Sequence, residues 1–246
     1  MDHAAYWQNF NLGIEIHVAG DFIYNGLKAF HELNALDRAH EVFEVMYDLA
    51  VGLERLMKVA VVLIEHKDGI DQATLEESLI THNHQELLHR ICSVREIQLG
   101  TVHNQLLQML GSFYKSCRYD RFNMSSIVEM DKEKVLLMKF FEKNLKKEMP
   151  KHIWHGMGND NRMRKFLEKS VFKIARQVYE IIEIESTRKE IFTWELEYDS
   201  KAGFIFMGER SLASLDIVWK EALVYRKRSA PYPPLASASF AFRFAH

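Results

Sequence analysis

DRAHEVFEVMYDLAVGLERLMKVAVVLIEHK, residues 37–67, is the stretch whose reading decides the fold. Val42, Val45, Met46, Leu49, Leu53, Leu56, Val59, Ala60 and Leu63 recur at three- and four-residue spacing, which gathers them on one broad face of a long helix. Asp37 stands where an N-cap is wanted, and Asp68-Gly69 ends the pattern. The fully apolar run Val59 to Ile64 is far shorter than the roughly 20 residues that a membrane-spanning helix needs.

The same periodicity extends to both sides. Residues 12–34 read as a helix on Leu12, Ile16, Ala19, Ile23, Leu27 and Phe30, with Gly13, Gly20 and Gly26 as breaks or points of close packing. Downstream come a short helix at Leu75–Leu79, a helix over His84–Gln98 and, after a break at Gly100-Thr101 where Thr101 can act as a cap, a helix over Val102–Tyr119. A polar turn at Asn123–Ser126 leads to a helix over Asp131–Lys147. A long helix then runs from Asn161 to about Asp199 on Met163, Phe166, Leu167, Val171, Ile174, Ala175, Val178, Ile181 and Ile182. Residues 211–225 read as a last helix. The stretch Ile191–Phe206 fits a helix best. The alternation of Phe192, Trp194, Leu196 and Tyr198 also fits a hairpin around Lys201-Ala-Gly203.

The four prolines are Pro150, Pro231, Pro233 and Pro234, so residues 1–149 contain none, as long helices require. The expected class is therefore all-α, an up-and-down helical bundle over 1–149 with a long helical extension over 150–228. A tail over 229–246 differs in composition and reads as flexible or appended. With hydrophobic residues at 48% the chain can build a real core. A net charge of −2 provides no overall basic field, so any nucleic-acid contact must come from a local patch. Cys92 and Cys117 lack zinc-binding spacing and read as reduced thiols. The N-terminus lacks the basic-then-apolar pattern of a signal peptide, and the expected location is the cytoplasm.

Three pieces of this order carry a likeness: Gly52-Leu-Glu-Arg-Leu-Met-Lys58 inside an apolar helix, followed by Asp68-Gly69; Thr81-His-Asn-His-Gln-Glu-Leu-Leu88; and Phe113-Tyr-Lys-Ser-Cys-Arg-Tyr-Asp-Arg-Phe122. Together, over about residues 40–125, they resemble the HEPN superfamily, helical-bundle proteins of prokaryotic toxin–antitoxin and phage-defence systems. The resemblance implies a bundle that often dimerises. It also implies, in active members, metal-independent RNA cleavage by an Arg followed after four to six residues by a His. The His would move the proton at the RNA 2′-hydroxyl or leaving oxygen, and the Arg would hold the phosphate as charge develops. Here no Arg stands at that spacing before any His; the nearest case, Arg95 and His103, has a helix break between its members.

Candidate residues follow from the residue types. Arg118, Tyr119 and Arg121 end a helix, where cations complement the helix dipole and could equally clamp a phosphate while the Tyr stacks on a base. His82, His84 and His89 form the densest histidine group. They serve as acid–base candidates or as backbone-bonded residues beside a cap at Thr81 or Asn83, and with Glu86 as the only near carboxylate they are not assigned a metal. Glu54 and Lys58 form an i,i+4 pair of the kind that stabilises a helix by roughly 0.2–0.5 kcal/mol. They read as a solvated ion pair or as a polar site inside the bundle. His152, Trp154, His155 and Asn159 lie in a Gly-bearing loop. Lys146, Lys147, Lys151, Arg162, Arg164 and Lys165 around it make the most basic stretch of the chain, a solvated face or a nucleic-acid contact.

The expected function is that of a HEPN-like protein of a defence or toxin–antitoxin system that binds or cleaves RNA. Catalysis would draw on His82, His84, Arg118, Arg121 and His155. The alternative is a non-catalytic module that binds a partner protein or a second copy of itself. A third reading is a small-molecule-binding bundle that uses some of the 16 Phe and 4 Trp. No cofactor and no membrane contact are expected.

Overall fold

In the computed structural model, residues 7–67, 69–124, 131–152, 155–191, 193–196 and 200–207 are described, and all of them belong to one compact unit that ends at Glu209. Among these residues the chain is all-α. A π-helical turn at Trp7–Asn11 leads into eight helices: α1 (Leu12–Glu32), α2 (Ala39–Glu65), α3 (Gln72–Ser78), α4 (His84–Cys92), α5 (Thr101–Ser116), α6 (Lys132–Leu145), α7 (Asn161–Arg188) and α8 (Lys201–Met207). The one β pairing among them is an isolated antiparallel bridge, Ala35 with Gly158. No helix of the described residues is long and apolar enough to cross a membrane.

Helix α2 is the axis of the bundle. Val45, Met46, Ala50, Leu53, Leu56, Met57, Ala60 and Val61 are fully buried, because α1, α4, α5, α6 and α7 all pack against it. A helix surrounded in this way becomes apolar around its whole circumference, which accounts for the run Val59 to Ile64. It starts at Arg38 without a side-chain cap, one residue later than the Asp37 cap expected from sequence. The α1–α2 contact is close enough to need glycine. A Cβ on Gly52 would lie 2.7 Å from Ile23 Cγ1 and 2.9 Å from the Ile23 backbone nitrogen. Adding the methyl group would therefore push two helix backbones apart, an overpacking that typically costs about 1–3 kcal/mol.

Helix α7 belongs to the same core. Met163, Leu167, Val171, Ile174, Ala175 and Val178 are fully buried, and the helix packs on α2, α5 and α1. The boundary expected near residue 150 thus does not separate two sets of packing. Helix α7 stops at Arg188, eleven residues before the expected end. Glu190 takes a left-handed conformation at φ 54°, its N–H donates to Thr187 O, and the N–H of buried Ile191 donates to Ser186 O at 2.9 Å. That pair of bonds closes a helix end, here with a non-glycine residue at the strained position.

Two other boundaries moved. Helix α4 ends at Cys92 rather than near Gln98. The chain then crosses to α7, where Arg95 Nε donates to Glu185 Oε1 at 2.5 Å and the Gln98 N–H donates to Gln177 Oε1 at 3.0 Å. Helix α5 begins after Gly100 rather than being capped by Thr101, and His103 Nδ1 accepts the Gly100 N–H at 3.1 Å. In the stretch 191–206, Trp194–Leu196 forms a 3-10 turn. Ser200 accepts the Gly203 N–H at 3.0 Å and starts α8, so no hairpin strand forms among the described residues. The expected continuous helix gives way to a turn and to a new helix that begins at Lys201, where a stop was expected. Ile205 and buried Phe206 pack over Gly20 of α1, and Phe206 lies against Tyr179. The expected helix 211–225 and tail 229–246 lie outside the described residues, as do Ser125, Ser126, Trp154, Phe192 and Tyr198.

Candidate functional site

The approach of α4 to α2 and α5 sets up a polar site. Asn83 caps α4 by accepting the N–H groups of Gln85 and Glu86. Thr81 Oγ1 accepts the Asn83 N–H at 3.2 Å and donates to Glu86 Oε2 at 3.1 Å. These bonds hold residues 81–83 extended, so the two histidines that flank Asn83 part company. His84 is fully buried and its Nε2–H donates to the Ala50 carbonyl of α2 at 2.9 Å. Burial pushes its protonation down, and the Ala50 carbonyl and the nearby Glu54 only partly oppose this. It is a neutral cross-link between α4 and α2, with no edge on open space.

His82 takes the opposite course. Its Nδ1 lies 3.1 Å from both carboxylate oxygens of Glu54, and Lys58 Nζ donates to Glu54 Oε1 at 2.7 Å. Glu54 is only 6% exposed, so the solvated ion pair read from its i,i+4 spacing is instead a buried carboxylate with two cationic or hydrogen-bonding partners. The His82 ring sits 4.6 Å from the Tyr114 ring of α5, and its side chain is 45% exposed.

Arg118 approaches Tyr114 from the end of α5. Its Nη1 donates to the Tyr114 hydroxyl at 2.7 Å, and its guanidinium lies 4.2 Å from the Tyr114 ring centre and 4.3 Å from that of Tyr119. Burial raises the Tyr114 phenol above its usual range, outweighing the opposing Arg118 charge, so it remains a neutral acceptor. Tyr119 is exposed. His82, Arg118 and Tyr119 line one open groove of about 660 Å³ between the start of α4 and the second half of α5, together with Asn83, Gln85, Glu86, Gln108, Ser112 and Lys115. Its wall is mixed in charge and well supplied with amide and hydroxyl groups. Such a groove suits a ligand with both a flat ring and an anionic group.

The other sequence candidates lie elsewhere. Arg121 forms an ion pair with buried Glu133 at the start of α6 and covers the Phe43 ring at 5.4 Å, which ties it to the bundle. His89 is exposed on α4. His155 is exposed on the loop 146–160, its ring 5.6 Å from that of His152. That loop packs against the α1–α2 turn, because a Cβ on Gly156 (φ 60°) would lie 2.7 Å from Asp37 Cα. The start of α2 and Glu54 are separated by 15 helical residues, about 22 Å along the axis at 1.5 Å per residue, so His155 and the Glu54–His82 pair occupy separate regions.

Three of the polar residues expected at that loop hold it in place. Asn159, 7% exposed, donates through Nδ2 to Phe30 O at 2.7 Å and Leu33 O at 3.1 Å. Arg164 Nη2 donates to Leu33 O at 2.8 Å, and Lys147 Nζ donates to Gly158 O and to Asp160 Oδ2, each at 2.7 Å. Asn159 and Arg164 thereby satisfy carbonyls that the end of α1 leaves open, while Lys147 ties the two ends of the loop together. Lys146, Lys151, Arg162 and Lys165 are exposed.

Among the described residues no three His, Cys, Asp or Glu side chains gather for a metal ion. Of the two sequence readings of Glu54 and Lys58, the polar site inside the bundle is the one found, but its partner His82 was not foreseen and Tyr114 was passed over. The signal for Glu54 was present: it follows Leu53 and precedes Leu56 and Met57, so its helix position faces the core as much as the solvent. Compared with family models, with curated proteins and with solved structures, the chain finds no match in any of the three.

Proposed function

We propose that the chain is a HEPN-like protein of a prokaryotic defence or toxin–antitoxin system that takes single-stranded RNA into the α4–α5 groove and cleaves it without a metal ion. The observation that carries this reading is the meeting of His82 and Arg118 on one ring, Tyr114, at the wall of an open groove. In the family it resembles, four to six residues separate the Arg from the His. Here they come from two elements, which accounts for the missing sequence spacing.

The chemistry is a transesterification. His82 Nε2 takes the proton of a 2′-hydroxyl, the O2′–P bond forms and the P–O5′ bond breaks. The leaving 5′-oxygen takes a proton from solvent, and His82 later returns its proton to solvent. The products are a 2′,3′-cyclic phosphate and a 5′-hydroxyl. Arg118 balances the charge that grows on the phosphate oxygens, and exposed Tyr119 offers a base-stacking face. Exposed Lys146, Lys151, Arg162 and Lys165 supply phosphate contacts to a longer strand.

Incubation with a mixed RNA pool, with and without chelator, tests this. Cleavage that survives chelation in the wild type and is lost in His82→Ala and Arg118→Ala supports the reading. Absence of cleavage by the wild type, or its loss on chelation, sinks it.

A second reading, docking of a partner protein or a second copy, draws on a different observation. Ile80, Tyr119, Phe122 and Met124 are exposed, with the Phe122 ring 6.3 Å from that of Tyr119 and Ile80 on the same groove, and aromatic residues with Arg are favoured at interface centres. Light scattering across a concentration series would show a dimer that Phe122→Asp dissociates, and a monomer throughout would count against self-association.

A further inference from the structure

We infer that Glu54 is the positioning residue of the groove, setting which ring nitrogen of His82 carries the proton and which faces the ligand. The inference rests on the ribonuclease reading, since it assigns how the proposed acid–base group is made ready.

A carboxylate has only acceptors to offer. With Nδ1 at 3.1 Å from both oxygens of Glu54, the neutral His82 ring must carry its proton on Nδ1. The lone pair then lies on Nε2, the ring nitrogen not engaged by Glu54, in a side chain that is 45% exposed and lines the groove. The other tautomer would put a lone pair against the carboxylate and a proton where a base is needed. The backbone does little to fix the ring, because His82 precedes α4 and stands outside any helix. Its orientation depends on Glu54 on one side and the Tyr114 ring on the other.

Glu54 is itself fixed. It sits in the middle of the most buried helix, and Lys58, one turn on, donates to Oε1. Lys58 is thus a cationic partner for a carboxylate that is only 6% exposed, where an unpaired one would be costly. This arrangement predicts an outcome specific to the isosteric variant Glu54→Gln. Lys58 holds the amide oxygen, so the amide NH2 faces His82 Nδ1 and donates to it. The ring proton moves to Nε2, and the base is switched off without loss of volume.

Nitrogen-15 NMR of the imidazole rings reads the tautomer directly in the full chain at alkaline pH, alongside RNA cleavage kinetics. The expected result is an Nδ1–H tautomer for His82 in the wild type and an Nε2–H tautomer in Glu54→Gln. In that variant kcat should fall by about 10²-fold or more, as expected for loss of acid–base assistance, with KM unchanged. A role for Glu54 in tying the loop to α2 alone would not move the tautomer. An Nε2–H tautomer in the wild type overturns the inference, and that spectrum needs no variant to fold. A variant that keeps both the Nδ1–H tautomer and the wild-type kcat overturns it as well. If the tautomer shifts as expected but the wild type cuts no RNA, the hold of Glu54 on His82 stands and the ribonuclease reading is what fails.

Discussion

The α4–α5 groove and the 146–160 loop are both rich in His, Arg, Lys and Asn, and they use these residues in different ways. In the loop, Asn159 and Arg164 end on main-chain carbonyls of Phe30 and Leu33, and Lys147 divides itself between Gly158 O and the exposed Asp160 carboxylate. In the groove the bonds run from side chain to side chain, His82 to Glu54 and Arg118 to Tyr114, and the far edges of the ring and the guanidinium border open space. A backbone carbonyl as partner closes the accounting of a buried helix end. A side chain as partner orients a functional group and leaves part of it for a ligand. The difference separates a polar anchor from a polar site even where the residue types are the same.

The largest effect expected is on catalysis. His82→Ala should lower single-turnover RNA cleavage by about 10²–10⁴-fold in a protein that stays folded, although loss of one partner of buried Glu54 should cost about 1–3 kcal/mol in urea unfolding. A variant that cleaves normally would erase the distinction between groove and loop. Asn159→Ala should act on stability alone. It leaves two carbonyls without their buried donor and should cost about 1–3 kcal/mol in urea unfolding, with the cleavage rate unchanged. A loss of rate at constant stability would move Asn159 into the site.

His84 sharpens the comparison from inside the groove region, since it is built like the loop anchors. Its folded form resists protonation through burial, so below the ordinary His pKa of about 6.5 the unfolded chain binds a proton that the folded chain refuses. Its stabilising contribution is therefore complete above that pH and is lost as the pH falls. Urea unfolding followed from about pH 8 down to about pH 5 should show a shallower decline for His84→Gln, which keeps a donor for the Ala50 carbonyl, than for the wild type. Equal slopes would mean that His84 does not resist protonation in the fold.

The smallest effects belong to the exposed cations. Lys151→Ala and Lys165→Ala should each change stability by less than about 0.5 kcal/mol. Each should also lower the slope of log affinity for RNA against log salt by about 0.7. An unchanged slope would restrict RNA contact to the groove.

Much of the fold was legible in the order of residues. The face of Val42, Val45, Met46, Leu49 and Leu53 and that of Met163, Leu167, Val171 and Ile174 both proved buried, and of the two caps offered by Thr81 and Asn83 it is Asn83 that caps α4. The end of α7 was not legible, since the left-handed residue there is Glu190 and carries none of the glycine signal that usually marks such a stop. Nor was the Glu54–His82 contact. Its members are 28 residues apart, and Lys58, four residues from Glu54, supplied a local partner that explained the carboxylate without any reference to the groove.

By itself, then, the sequence determined that the protein is helical and which faces of its helices would be buried, because helical periodicity is a relation between residues three and four apart. Only the tertiary structure decided which polar residues meet. Asn159 reaches a carbonyl 129 residues away, and His82 reaches a carboxylate on a different helix. Such contacts depend on how helices cross and on which charges a crossing can bury with a partner, and no local spacing in the chain encodes either.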